Sequence, residues 1–207
     1  MPRAFNDDEI ERIRTSLLRT GRVSFLERGL KGTTIDHLIT SVGIGKGSFY
    51  QFFKSKEDLF LELFSEEIPA MMARLHEASF GTTTDTREAL IRLMKAMIFE
   101  LETNRLARVV INDPAQLERF LSTEEFEVLS GRIAKANTPI VNCIEQARAR
   151  GETVDMDPRH ISEILGMVKQ LPVIKDRISP ALYSVLCDSY PEIIADGLTN
   201  PVRQGQA

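Results

Sequence analysis

The run at residues 43–57, Gly-Ile-Gly-Lys-Gly-Ser-Phe-Tyr-Gln-Phe-Phe-Lys-Ser-Lys-Glu, constrains this chain more than any other segment. It packs a short glycine-flanked helix, exposed cations, hydroxyls and aromatic residues into fifteen positions, directly after a capped helix of about two turns. That order predicts a helix-turn-helix whose second helix enters a DNA major groove. Gly45 and Gly47 at its approach let the backbone lie close to base edges. The plainer reading is a solvated charged helix with Phe49 and Phe53 turned into a core.

At 207 residues the chain holds one or two domains and buries a substantial core. With 43% hydrophobic and 27% charged residues it is neither disordered nor built to cross a membrane. The first eight residues lack the apolar stretch of a secretory leader, which points to the cytoplasm. Cys143 and Cys187 lie far apart among helical apolar positions and read as reduced, buried thiols, with redox sensing as the alternative. A net charge of -4 argues at first against nucleic acid, but the charge is unevenly spread. Residues 1–60 hold ten basic and eight acidic residues, whereas the remainder holds sixteen and twenty-two. Lys46, Lys54 and Lys56 crowd into the motif, so a local basic patch rides on an acidic body.

Every strong periodicity is helical and no alternating β-branched run is long enough for a strand, so the expected class is all-α. The spacing predicts a first helix over 7–28, with Ile10, Ile13, Leu17, Gly21 and Phe25 on one face and Gly29 as its cap. A second helix opens at Thr33, in capping-box spacing with Asp36, and stops before Gly43. The third spans 45–52. The fourth opens at Ser55, boxed to Asp58, and runs to about 79 with a kink at Pro69. Further helices are expected over 86–103, 105–121, 123–150, 158–171 and 180–198, two of them interrupted by Pro139 and Pro191. The implied organisation is a three-helix helix-turn-helix domain, 1–54, and a C-terminal helical bundle, 55–207, to which only a family resemblance assigns effector binding and dimerisation.

The motif also resembles the signature of the TetR family of bacterial repressors, typically Gly-Val-Ser-Lys-Gly-Ser-Leu-Tyr-His-Tyr-Phe-x-Ser-Lys-Glu. The likeness extends upstream through Arg28-Gly29-Leu30-Lys31-Gly32-Thr33-Thr34-Ile35 and covers roughly residues 8–64. It implies that Lys46, Gly47, Ser48 and Gln51 face the groove and that the Tyr50 hydroxyl meets a phosphate. Thr34 and Lys56 would be phosphate clamps at helix N-termini, with Lys54 completing the basic cluster. Gln51 stands where the family often has histidine, and its amide suits adenine N6 and N7. Gly45 replaces a usual serine, which removes a side-chain cap at a cost of a few tenths of a kcal/mol.

No other constellation carries chemistry. His37, His76 and His160 have no metal-ligand spacing around them, no nucleophile elbow or Walker loop occurs, and neither a cofactor nor a metal is expected. Met71, Leu75, Met94, Met97, Ile98, Leu101 and Phe120 are either helical core or the lining of a pocket; a pocket for a small apolar or amphipathic effector is implied only by the resemblance. The resemblance likewise implies a homodimer on a palindromic operator, joined through Ile161, Ile164, Leu165, Val168, Leu182, Leu186, Tyr190 and Ile193. Among binding proteins the alternative is an activator or a regulator without a small-molecule effector; the competing class is a helical-bundle enzyme or carrier, which salt-sensitive DNA binding separates from the others.

Overall fold

The computed structural model describes residues 5–112 and 123–199. The helices are α1 Asp7–Gly32, α2 Ile35–Val42, α3 Lys46–Phe52, α4 Lys56–Ala78, α5 Thr86–Thr103 and α6 Arg105–Asn112. They continue as α7 Thr123–Ala149, α8 Pro158–Gly166, α9 Gln170–Ile174 and α10 Pro180–Thr199, with 3-10 turns at Met167–Lys169 and Lys175–Arg177. The described residues contain no strand, and the class is all-α with an N-terminal helix-turn-helix and a C-terminal helical domain. None of their helices is long and apolar enough to cross a membrane.

Contacts divide the described chain into two units. One runs up to Glu67 and takes in the segment from Arg105; the other holds Ile68–Asn104 and the residues from Glu124 onward. The division falls inside α4, whereas the sequence suggests 54/55 from the end of the motif. Leu59, Phe60 and Leu63 explain the difference, since each is buried on the N-terminal side.

In the first unit Asn6 and Glu9 form a reciprocal capping box that starts α1. The helix breaks at Gly29, whose φ of 68° and ψ of -179° suit only glycine, so a further turn follows the break before Thr33. Gly21 marks where α1 crosses α4, because a Cβ there would lie 2.9 Å from Leu59 Cδ2. Phe25 meets Phe60 edge-on at 5.3 Å, and Arg22 lies 3.7 and 3.8 Å from Glu66 and Glu67. Arg14 pairs with Glu62 and sits 5.9 Å over the Phe53 ring.

The second unit is organised about α5, where Leu90, Leu93 and Met94 have no exposed surface. Ile140 and Ile144 of α7, Ile161 and Leu165 of α8, and Ala195 and Leu198 of α10 complete its core. Helix α5 starts at Asp85, whose carboxylate accepts from the Glu88 N–H at 2.7 Å.

Three expectations change. Thr34 rather than Thr33 caps α2, accepting from the His37 N–H at 3.2 Å; Thr33 is buried and turns its hydroxyl to the Gly29 carbonyl. Adjacent threonines offer the same signal, and burial chose between them. Pro139 and Pro191 do not interrupt α7 or α10, because each ring removes only one donor from a long hydrogen-bonded run. The helix expected over 158–171 tightens into a 3-10 turn after Gly166, where Val168 is drawn into the core. Residues 113–121 of the helix expected over 105–121, Phe120 among them, lie outside the described residues.

Candidate nucleic-acid interface

Helix α2 has a clear stop. Gly43 adopts a left-handed conformation, φ 78° and ψ 33°, and its N–H and that of Ile44 both return to the Ile39 carbonyl, at 2.8 and 3.1 Å. Helix α3 then begins at Gly45, which supplies no side-chain cap, as the missing serine predicts. What holds α3 is its aromatic face. Phe49 is fully buried and Phe53 nearly so, their ring centroids 6.0 Å apart.

The opposite face of α3 is open. Lys46, Gly47, Tyr50, Gln51 and Lys54 are exposed and Ser48 is half-buried, so the structure gathers these expected contacts on one surface. Tyr50 remains 51% exposed while its ring packs edge-on against Phe49 at 5.6 Å, which fixes the ring and frees the hydroxyl. A Cβ at Gly45 or Gly47 would meet nothing within 4 Å, so the chain's own packing does not require glycine at either position. The Lys46 ammonium lies 3.5 Å from Asp36, an exposed pair that costs little to exchange for a phosphate.

Thr34 and Lys56 both have hydrogen-bond partners within the unit. The Thr34 hydroxyl oxygen accepts the α2 cap bond, although the residue itself is exposed. Lys56 donates to the carbonyls of Leu30 and Thr33 at 2.7 and 2.8 Å, inside the unit. At the start of α4 the box is shifted by one residue: the Ser55 hydroxyl accepts from the Asp58 N–H, while the Asp58 carboxylate reaches the Lys54 N–H at 2.9 Å.

The described residues among those weighed as a pocket are buried. Met71, Leu75, Met94, Met97, Ile98 and Leu101 are each less than a tenth exposed. Of the expected dimer contacts, Ile161, Leu165 and Val168 are consumed in the second unit's own core and offer no surface, because α5 already occupies the apolar face of α8. Ile164, Leu186 and Tyr190 are half-buried. Leu182 and Ile193 are exposed, and sequence reading missed Met167 and Val185, both 57% exposed. A helical wheel marks all of these as apolar and says nothing of which are covered. Cys143 lies 3.6 Å from His76 Nε2, and burial pushes its thiol up, away from the reactive thiolate.

A short helix locked by aromatic anchors, preceded by a glycine turn and presenting a polar face, defines a helix-turn-helix protein. Residues 17–63 match the family model of bacterial regulatory proteins, tetR family. The HTH-type transcriptional repressor KstR2 of Mycolicibacterium smegmatis is 30% identical over 138 residues, spanning 67% of this chain and 66% of that protein. The chain thus spans just under two thirds of that relative's length. A TetR-family transcriptional regulator from Pectobacterium atrosepticum superposes with a TM-score of 0.71 at 21% identity, covering 94% of this chain and 98% of that one. The ketosteroid transcriptional regulator KstR2 of Mycobacterium tuberculosis gives 0.55 at 25% identity, with 90% and 94% coverage. Residues 17–63 thus carry the helix-turn-helix segment of the tetR family of bacterial regulatory proteins, and the relatives and solved structures that the chain resembles are transcriptional regulators.

Proposed function

We propose that the protein is a cytoplasmic repressor that binds a palindromic DNA operator as a homodimer and is released by a small apolar or amphipathic effector. The observation that carries the DNA reading is the open polar face of α3, held by Phe49 and Phe53, with two glycines that internal packing does not call for. Lys46, Ser48 and Gln51 read base edges, Gln51 through its amide, and Tyr50 and Lys54 meet phosphates. Repression agrees with the names of the KstR2 relatives.

Dimerisation is supported by Leu182, Val185 and Ile193, which leave an apolar stripe exposed on α10. Two-fold symmetry then calls for half-sites in successive major grooves, about 34 to 36 Å apart. For the effector, the support is the flexibility of Met71, Met94 and Met97, which repack more readily than branched residues. Their close burial equally favours an effector-free regulator.

Selection of duplexes from a randomised library, followed by salt titration of the best one, tests the main reading. A specific duplex whose affinity falls steeply with salt is expected; binding indifferent to salt would refute it. A metabolite panel screened against the bound duplex separates the effector reading from the effector-free one.

A further inference from the structure

Lys56 stands at the first residue of α4, where the helix macrodipole disfavours a cation and the neighbouring Glu57 and Asp58 are the charges that suit the position. Its ammonium turns away from that end. It donates to the Leu30 carbonyl at 2.7 Å and the Thr33 carbonyl at 2.8 Å, with the Glu57 carboxylate at 4.0 Å and only 21% of its side chain exposed. The Leu30 carbonyl belongs to the terminal turn of α1 beyond the break at Gly29, where the helix has run out of its own donors, and Thr33 is the residue that caps that turn. The cation thus sits at the negative end of one helix though it is carried on the positive end of another.

The turn it binds leads directly into Thr34, the cap of α2, and α2 in turn packs on α3. Swinging the ammonium out to a phosphate would break two charge-assisted bonds and strip both carbonyls of that donor. We propose that Lys56 is a positioning residue and not a phosphate contact: it ties the first turn of α4 to the α1–α2 junction and so sets where Thr34, α2 and the recognition helix lie. One readout of this proposal rests on the DNA-binding function and the other does not.

The test compares the full wild-type chain with Lys56→Met, which removes charge and donors, and Lys56→Gln, which removes the charge but keeps a donor. Amide hydrogen exchange is followed across residues 33–38, and affinity is measured against a duplex selected by the wild-type protein from a randomised library. In Lys56→Met, exchange at the junction should quicken and affinity should fall about tenfold, as for the loss of a charged hydrogen bond. The slope of log affinity against log salt should stay within about 0.3 of wild type, since no phosphate contact is lost. Lys56→Gln should recover part of the affinity. A slope reduced by about 0.9 in both variants, with junction exchange unchanged, would mean a phosphate contact and overturn the proposal. Faster exchange with unaltered affinity would overturn it too, leaving Lys56 as a stabiliser alone. If the wild type selects no duplex, the DNA-binding reading fails, while the exchange comparison still decides whether Lys56 holds the junction.

Discussion

The two units differ in which of the residues expected to make outside contacts they engage internally. In the N-terminal unit, cations of α1 and α4 are paired within the unit: Arg14 with Glu62, Arg22 with Glu66 and Glu67, Lys56 with two carbonyls. One face of α3 is left to the solvent. In the C-terminal unit the apolar residues are drawn inward, including six weighed as a pocket and three weighed as an interface. A basic residue beside a binding motif can thus have partners inside its own unit, and an apolar residue on an expected interface helix can lie in the core. In both units, internal partners take priority and function uses what is left.

The strongest way to break that comparison is to attack the anchors. Phe49→Ala should cost about 3 to 5 kcal/mol by emptying a fully buried site. Denaturant unfolding monitored separately in each unit should show the loss in the helix-turn-helix unit; an equal loss in both would mean that they unfold as one body. Close behind comes a contrast within the second unit. Leu165→Glu places a carboxylate in the core and should unfold that unit, whereas Ile193→Glu, on a side chain 67% exposed, should stay within about 0.5 kcal/mol of wild type. Sedimentation of Ile193→Glu should then report monomers if α10 is the interface, and an intact dimer would move the interface elsewhere.

A third change probes the crossing of α1 and α4 at Gly21. Gly21→Ala pushes a methyl against Leu59 and should destabilise the N-terminal unit by about 1 to 3 kcal/mol, read from the shift in denaturation midpoint. A neutral result would mean that Leu59 moves aside freely. Gln51→Ala should leave stability alone and cost about 1 to 3 kcal/mol at the preferred duplex, with less lost on other sequences. A uniform loss over all duplexes would make Gln51 a backbone contact.

The smallest effect is one of pH. Burial pushes the Glu100 carboxyl up, but hydrogen bonds from Arg74 and Asn104 and the Arg74 charge outweigh it and hold the group below its ordinary 4.5. A folded value below the unfolded one gives stability that is present above about pH 4.5 and is lost as pH falls through the folded value. Glu100→Gln should flatten that acid limb of the stability curve, and parallel curves for the two proteins would show that the pairing contributes nothing.

Much of this molecule was legible from local rules, because helix caps, glycine stops and 3.6-residue periodicity act over a few neighbouring residues. They gave the motif at 43–57, the stop at Gly43, the uncapped start of α3 and the span of α5. Residue type and the family pattern were enough to put Lys46, Tyr50 and Gln51 forward, and the structure leaves all three exposed. Tertiary structure decided whatever depends on a partner distant in the chain. Lys56 is bound to carbonyls more than twenty residues away, Thr33 rather than Thr34 is buried, and Ile161 and Leu165 are covered by α5 while Ile193 is not. Periodicity marks an apolar stripe but carries no information about what lies against it, and a lysine reads the same whether its ammonium meets a phosphate or the end of a neighbouring helix.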